Sequence, residues 1–412
     1  MQRTDPVICT LRTPTTVAQG ARLDRSAWQA LAQGLSFAFA LGVSAAGCAG
    51  RDSGPMYTVY AGSDVDDAGR AAETGQADAS APGSETVGTA PIAALPPGDP
   101  IEIANNGAYF GRARDVIQTA QKKLRIVQFE VTQGDGPQLL VAATIKAHQR
   151  GVDVRVLLDE EVPYNADALA QLKAAGVQAK YDSPKLRTHA KVVASEQGFV
   201  VGSTNWSTPS MTKNNETNVL VRDPAAVTQL HAWIDKLWAD SGKSQPMVAG
   251  KSTVAPLYAD GGYAAVVGPL VDAAKTRIWL CTYGMNLDPA NASSPVTQLA
   301  QKVAAAHQRG VQVRIALDQS GDWAELGNDV NADSAAHLVK MGLDVRSDPK
   351  SVVTHAKFVV VDDAVVLGSN NWGYGGMQAY HEIGCKTVHA PAVAGLADYF
   401  DKLWTVSTPF AP

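Results

Sequence analysis

The sequence is poor in the residues that build several common kinds of functional site. Its 412 residues include four cysteines, Cys9, Cys48, Cys281 and Cys385, and no two of them form the CxxC pair typical of zinc and redox sites. Cys281 and Cys385 are compatible either with a disulfide in an exported protein or with two buried free thiols. No GxxxxGK or GxGxxG sequence occurs in a strand–loop–helix setting, so we expect no nucleotide cofactor.

Positive charge is also scarce. The chain has 35 lysines and arginines against 40 aspartates and glutamates, which gives a formal net charge of −5. Proteins that hold long nucleic acids usually carry a basic surplus, because neutralising phosphates supplies most of that affinity. The composition therefore makes a polynucleotide partner less expected without excluding it. A hydrophobic content of 45% is ordinary for a globular protein with one large core or two medium ones.

Long apolar runs are missing after the first fifty residues, where nothing approaches the ~20 apolar residues that span a bilayer. Before that point, Arg22 and Arg25 precede a mostly apolar stretch that ends in LGVSAAGC at Cys48. This order resembles a bacterial lipoprotein export signal, so residues 1–48 are predicted to direct export and Cys48 to be lipidated. The alternative is a buried or disordered N-terminal helix.

The following segment has few large apolar side chains. Residues 49–98 are rich in Gly, Ala, Ser, Asp, Thr and Pro, and such a segment cannot bury enough apolar surface to offset its ordering entropy. We interpret it as a disordered linker between a membrane anchor and a folded body. The whole pattern predicts an exported protein anchored at the bacterial cell envelope.

From about residue 101 the chain repeats itself. Three blocks match in the same order. LRIVQFEV (Leu124–Val131) matches TRIWLCTY (Thr276–Tyr283), and AHQRGVDVRVLLD (Ala147–Asp159) matches AHQRGVQVRIALD (Ala306–Asp318). The third block runs from His189 to Trp238 and matches the stretch from His355 to Trp404. The offset grows from block to block, which indicates loop insertions between fixed elements. Two repeats of this length indicate two halves of one body rather than a solenoid. We place these halves at residues 99–245 and 255–412.

Each half alternates short β-rich runs with helical patterns that end in glycine. This order predicts an α/β fold in which each half is a mixed sheet covered by helices. A pseudo-twofold between the halves would bring equivalent residues together around one active site.

The best-matched block contains a histidine and a lysine two residues apart. On a strand, His189 and Lys191 point to one face, and so do His355 and Lys357. Together they would form a cationic pocket that suits a phosphate diester, with one histidine as nucleophile and the other as general acid. The lysines would supply the positive charge, so we expect no metal. The GS-x-N turns that follow are predicted to bind the substrate phosphate through Ser203, Asn205, Ser369 and Asn371.

Two HxK motifs, each followed at equal spacing by GS-x-NW, resemble the phospholipase D superfamily, the HKD enzymes, over roughly residues 105–405. The resemblance implies two α/β halves with one active site between them. It also implies that His189 is the nucleophile, forming a phosphohistidine, and that His355 is the general acid. Tyr380 and His381 are expected either to line the pocket or to pack.

The resemblance further implies four supporting carboxylates. The acid of the HKD motif is Asp362 in the second half and is replaced by Glu196 in the first, at a position that makes contacts away from the substrate. Glu216 follows His189 at the same spacing as Glu382 follows His355, and each is expected to bond the imidazole of its own half, opposite the reacting nitrogen. The alternative is that both are solvated loop glutamates.

These features together predict a monomeric phospholipase D that hydrolyses a phospholipid to phosphatidate and a head-group alcohol without a cofactor. Three alternatives stay open. One is a nuclease or phosphodiesterase that acts on nucleic acid, the second a phosphatidyltransferase similar to cardiolipin synthases, and the third a non-catalytic scaffold. The two intact HxK motifs weigh against the scaffold.

Overall fold

The computed structural model describes residues 94–248, 250–320 and 330–411. The predicted export signal with its lipidated Cys48, and the predicted linker up to residue 93, lie outside the described residues. Within the described ranges, no helix combines the length and the hydrophobicity that a bilayer-spanning segment needs.

The first half is a seven-stranded mixed sheet with helices. Its strands are β1 (Ile101–Ile103), β2 (Lys123–Gln128), β3 (Asp153–Leu158), β4 (Gln178–Tyr181), β5 (Val192–Ser195), β6 (Phe199–Gly202) and β7 (Asn218–Val221), and its helices are α1 (Ala108–Thr119), α2 (Asp135–Gln149), α3 (Asn165–Ala174), α4 (Thr208–Thr212) and α5 (Pro224–Ala239). The strand order is β1-β7-β6-β5-β2-β3-β4. Strands β2, β3 and β4 are parallel, and the others pair antiparallel.

The second half repeats this arrangement with one further edge strand. Its strands are β8 (Leu257–Ala259), β9 (Arg277–Thr282), β10 (Gln312–Leu317), β11 (Asp344–Ser347), β12 (Lys357–Val361), β13 (Ala364–Gly368), β14 (Ile383–Thr387) and β15 (Thr408–Pro409), and its helices are α6 (Tyr263–Ala273), α7 (Pro295–Gln308), α8 (Val330–Lys340), a π-helical turn (Gly375–Ala379) and α9 (Ala390–Val406). The order is β15-β11-β10-β9-β12-β13-β14-β8. The predicted two-half α/β fold is confirmed.

The core explains why the two halves form one body. The central strands of each sheet are almost continuously buried, as expected for strands covered on both faces. One hydrophobic cluster includes residues of both halves, with Trp233 of α5 and Phe400 of α9 among its large side chains. Cys281 and Cys385 belong to this cluster as buried free thiols, so the disulfide alternative is wrong.

The strand register corrects one of the sequence matches. Lys123 of β2 lies opposite Asp153, and Arg277 of β9 lies opposite Gln312 in the equivalent pair of strands. Lys123 is therefore the counterpart of Arg277, whereas the sequence match paired Arg277 with Arg125 and is wrong by two positions. A shift of two keeps every side chain on its own face, so the alternation of a strand does not reveal it.

Candidate active site

Each HxK segment is bridged to the other half by a residue that lies shortly before β7 or β14. His189 donates its backbone N–H to the carbonyl of His381 at 3.0 Å, and Thr188 forms a parallel bridge with His381. In the equivalent position, Asn215 bridges to Thr354. Strand β5 begins three residues after His189, and β12 begins at Lys357, so both histidines lie in the connections that enter these strands. Each histidine segment is therefore contacted by a chain segment from the opposite half.

Glu216 and Glu382 also contact the histidine of the opposite half. Nδ1 of His189 lies 2.8 Å from Glu382, and Nδ1 of His355 lies 3.0 Å from Glu216. The expectation that each glutamate bonds the imidazole of its own half is therefore wrong. The alternative of solvated loop glutamates is also wrong, because both side chains are completely buried. A carboxylate on Nδ1 orients each ring and leaves Nε2 available for chemistry.

The serines of the GS-x-N turns support the glutamates. Ser203 donates its hydroxyl hydrogen bond to Glu216, and Ser369 donates to Glu382. Both serines are fully buried and lie outside the lining of the pocket. Their predicted role in binding the substrate phosphate is therefore wrong. They instead satisfy buried carboxylates, which would otherwise carry a large desolvation cost.

The two lysines lie beneath the histidines. Lys191 Nζ donates to the carbonyl of His189 at 2.5 Å, and Lys357 Nζ donates to that of His355 at 2.6 Å. Each ammonium also lies over an aromatic ring, Phe129 at 4.9 Å and Tyr283 at 5.0 Å. Burial lowers the pKa of Lys191 to about 8 and that of Lys357 to about 7, although nearby glutamates oppose the shift.

One pocket of about 620 Å³ contains both histidines. It is lined by Phe129, Glu130, Arg187, His189, Asn205, Ser207, Pro209, Ser210, Asn214, Tyr283, Val353, His355, Asn371 and Tyr380. The structure thus brings the predicted residues His189, His355, Asn205 and Asn371 together. Asn205 donates its amide to Glu130 at 3.1 Å. The residues that the structure describes contain no group of three or more His, Cys, Asp or Glu side chains that could hold a metal ion.

The two ends of the pocket differ in charge. Beside His189 stands Arg187, which is paired with Glu161 and lies over the rings of Phe129 and Tyr380. Arg187 and Val353 occupy equivalent sequence positions, each two before its histidine, so the end near His355 has valine in this place. The sequence analysis predicted no role for Arg187, although this residue lies just before the first HxK motif.

Other pocket residues were also missed. With the corrected register, Phe129 and Tyr283 are equivalent, and their rings contact His189 and His355 edge-on at 4.9 and 4.7 Å. The uncorrected sequence match hid this equivalence, because it aligned Phe129 with Cys281. Of the two residues whose role was left open, Tyr380 lines the pocket, whereas His381 is buried.

Burial and nearby charges shift the pKa values of the two imidazole–carboxylate pairs differently. Burial lowers the pKa of His189 well below its usual value, and Lys191 lowers it further. Burial also lowers the pKa of His355, but Glu216 opposes that shift. The pKa of Glu382 is raised by burial to about 7. Burial raises the pKa of Glu216, but the neighbouring His355 outweighs this effect, so the pKa of Glu216 is lowered overall. Glu216 is therefore more fully ionised than Glu382 at neutral pH.

The chain is similar to known proteins in both of its halves. The family model described as "Cardiolipin synthase, PLD-like domain" matches residues 114–238 and 269–404, one segment in each half. The chain belongs to the phospholipase D superfamily. Mitochondrial cardiolipin hydrolase of Homo sapiens is 28% identical over 160 residues, which cover 38% of this chain and 60% of that protein. Phospholipase D Z of Dictyostelium discoideum is 24% identical over 324 residues, covering 63% and 75%.

Solved structures share the fold at lower identity. Phosphatidylserine synthase of Haemophilus influenzae Rd KW20 superposes with a TM-score of 0.59 and 14% identity, over 75% of this chain and 87% of that one. Polyphosphate kinase of Porphyromonas gingivalis gives a TM-score of 0.53 and 13% identity, over 73% and 46%. The chain spans about 60% of the length of the human cardiolipin hydrolase that it matches.

The acids of the HKD motifs lie away from the pocket in this member of the phospholipase D superfamily. Glu196 accepts backbone hydrogen bonds from residues 121–123, just before and at the start of β2. Asp362 accepts from the backbone of residues 275–277 and from the Thr276 hydroxyl. Both therefore tie the β-hairpin of their motif to the neighbouring strand, and glutamate reaches the same kind of donors as aspartate.

Proposed function

We propose that this protein is a phospholipase D-type phosphodiesterase that releases phosphatidate and a head-group alcohol through a phosphohistidine. The observation that carries the proposal is the pair of imidazoles in one pocket, His189 and His355, each held at Nδ1 by a buried glutamate. Two ring nitrogens are thereby directed to one substrate. Enzymes of this superfamily act on phosphodiester bonds.

The reaction follows from the two rings. Nε2 of His189 attacks phosphorus, while Nε2–H of His355 protonates the leaving alcohol oxygen, so the P–O bond breaks as the P–N bond forms. His355 then removes a proton from water, which displaces His189 and yields phosphatidate. Neutral His189 is favoured because burial lowers the pKa of its imidazole. Burial also lowers the pKa of His355, and the ionised Glu216 opposes that shift, so Glu216 is the group that stabilises the protonated form of His355.

Asn205 lines the pocket and can donate to a phosphoryl oxygen. Lys191 and Lys357 lie outside the pocket lining and donate to the histidine carbonyls, so they contribute positive charge without contacting the phosphate.

A phospholipid is the proposed substrate, because relatives of this chain are named cardiolipin hydrolase and phospholipase D, and the net charge of −5 is unfavourable for nucleic acid. We further propose that the protein is exported and anchored at the membrane through a lipidated Cys48. A monomer suffices, since one chain contains both HxK motifs.

A transferase is the second candidate, and it is supported by the description of the matching family as cardiolipin synthase. The same phosphohistidine would then be attacked by the hydroxyl of an alcohol in place of water. The difference between the two activities lies only in the acceptor.

The test compares substrates side by side. The purified full chain is incubated with phosphatidylcholine, cardiolipin and single-stranded DNA, each with and without glycerol. We expect phosphatidate from lipid, no DNA cleavage, and no product from His189→Ala. Transfer to glycerol in preference to water would identify a transferase, and cleavage of DNA alone would reject the lipid substrate.

The roles of the histidines need a separate experiment. With a nitrophenyl leaving group, which needs little protonation, His355→Ala should still form the covalent adduct, whereas His189→Ala should form none. The adduct is trapped in alkali, because phosphohistidine is labile to acid, and is mapped by peptide sequencing. Phosphate on His355 would reverse the two roles.

A further inference from the structure

A histidine and an aspartate form a buried contact beside the catalytic pocket. Nδ1 of His381 lies 2.7 Å from Oδ2 of Asp260, and Nε2 of His381 lies 2.8 Å from the carbonyl oxygen of Ser241. Both side chains are at most 1% exposed. Neither residue lines the pocket, although Tyr380, which directly precedes His381, does. The reaction proposed above does not use this contact.

The geometry identifies the contact as an ion pair, because both ring nitrogens of His381 face acceptors. A carbonyl oxygen can only accept, so Nε2 carries a hydrogen. Asp260 already accepts an N–H on each carboxylate oxygen, from Glu382 at 3.2 Å and from Gln245 at 2.6 Å, as an ionised carboxylate does. Nδ1, which faces this carboxylate, therefore also carries a hydrogen. Burial lowers the pKa of His381, but the hydrogen bond and the charge of Asp260 outweigh it and raise this pKa overall.

The ion pair holds the residue that orients the nucleophile. His381 directly precedes Glu382, whose carboxylate binds Nδ1 of His189. Asp260 directly follows β8, accepts the backbone N–H of Glu382 and donates its own N–H to the carbonyl of Glu382 at 3.1 Å. Both backbone polar groups of Glu382 are thus bonded to Asp260, and the imidazole of the preceding residue is bonded to the same aspartate.

The first half has the same arrangement without charge. Asn106 is the counterpart of Asp260, and both adopt a positive φ, 53° and 38°. Asn106 accepts the N–H of Glu216 at 2.7 Å and donates its own N–H to the carbonyl of Glu216 at 3.3 Å. The residue before Glu216 is Asn215, whose amide donates to the Thr354 hydroxyl at 3.0 Å. The shared fold therefore does not require an ion pair at these positions.

We propose that the ion pair of His381 and Asp260 positions Glu382 and, through it, the imidazole of His189. The backbone of His381 contributes to the same positioning, because its carbonyl accepts the N–H of His189 at 3.0 Å and its N–H donates to the carbonyl of Arg187 at 2.8 Å. His381 and Asp260 are positioning residues, since neither touches the substrate pocket. The positioning role rests on the proposed function, whereas the ion pair does not.

The first half supplies the matched substitutions, because it has asparagine at both positions. His381→Asn leaves the Asp260 carboxylate buried without its cation, which is costly. We expect it to lower the rate constant of adduct formation with the nitrophenyl substrate about 10- to 100-fold at pH 7. The double variant with Asp260→Asn removes both charges and should regain most of this loss. The final amount of adduct gives the folded fraction, so a loss of folded protein is not counted as a loss of rate.

The pH dependence of adduct formation separates positioning from a purely structural role. Burial raises the pKa of Glu382 to about 7, and the HxK lysines and His381 oppose that shift. The acidic groups that act on His381 are Asp260 and Asp182. His381→Asn removes a cation that favours ionised Glu382, so the pKa of Glu382 should rise further. The loss of rate should therefore be larger at pH 6 than at pH 8.

Stability gives an independent measure of the ion pair. Two residues that form one buried pair are not additive, so His381→Asn should have a lower Tm than the double variant with Asp260→Asn. If His381→Asn does not fold, folding of the double variant is the expected rescue. A double variant that is no more stable than His381→Asn would overturn the ion pair.

The remaining outcomes separate the positioning role from the proposed function. A lowered Tm for His381→Asn with an unchanged rate constant at pH 6 and pH 8 would overturn the positioning role while the enzyme remains active. A full-length wild-type chain that forms no adduct with any diester would remove the proposed function and the positioning role with it. The Tm comparison would still decide whether His381 and Asp260 form an ion pair.

Discussion

Glu382→Gln should impair the same step as His189→Ala, although the two residues belong to different halves of the chain. Both glutamates are completely buried, and glutamine keeps the volume while removing the carboxylate that faces Nδ1. Because burial raises the pKa of Glu382 to about 7, the rates are compared above that pH, where Glu382 is mostly ionised. A hydrogen bond to a charged group contributes roughly 1.5–3 kcal/mol, which corresponds to a rate loss of about 10- to 150-fold. We therefore expect Glu382→Gln to slow formation of the covalent adduct by that factor.

Glu216→Gln is the matched control, because it makes the same chemical change beside the other imidazole. The assay follows adduct formation from lipid substrates whose leaving alcohols have different pKa values. Glu216→Gln should leave the rate with nitrophenol nearly unchanged and slow the reactions of poor leaving groups, as weakened acid catalysis does. The crossed pairing would be refuted if Glu382→Gln behaved like His355→Ala and Glu216→Gln like His189→Ala.

Four further predictions follow from the structure and the sequence. His189→Ala and His355→Ala should each remove nearly all turnover, and the double variant should be little worse, because residues that act as a unit are not additive; half the activity in either single variant would indicate two independent sites. Activity should survive exhaustive EDTA treatment, since buried lysines supply positive charge, and recovery by added zinc or magnesium after a loss would contradict this. Asp362→Ala should lower the free energy of unfolding by about 1 kcal/mol near pH 7, measured by urea titration. Burial raises the pKa of Asp362, but hydrogen bonds from the Thr276 hydroxyl and from backbone N–H groups outweigh it and lower this pKa to about 2. Its contribution is therefore present above about pH 4 and disappears as pH falls towards 2, and a cost that is the same at pH 2 and pH 7 would contradict that origin. Cys48→Ser should release the protein from membranes or leave an unprocessed precursor, and mass spectrometry showing an unmodified Cys48 in the mature wild-type chain would reject lipidation.

The sequence by itself determined the fold class and the central pair of histidines. The repeated HxK and GS-x-NW spacing identified His189 and His355, and the alternation of strand and helix patterns predicted two α/β halves. These features are local, because a strand or a helix is recorded in the spacing of its own residues. The sequence also indicated Glu216 and Glu382, but as partners of the wrong histidines.

Only the tertiary structure decided which half supplies each contact. His189 and Glu382 are far apart along the chain, and a repeat makes both glutamates equally good partners until the crossing of the chains is known. The same reason explains the serines, whose hydroxyls are directed to buried carboxylates rather than to the pocket. Phe129 was missed because a strand shifted by two residues keeps the same faces. Spacing along a chain specifies local geometry, whereas the choice between equivalent partners depends on packing across the pseudo-twofold.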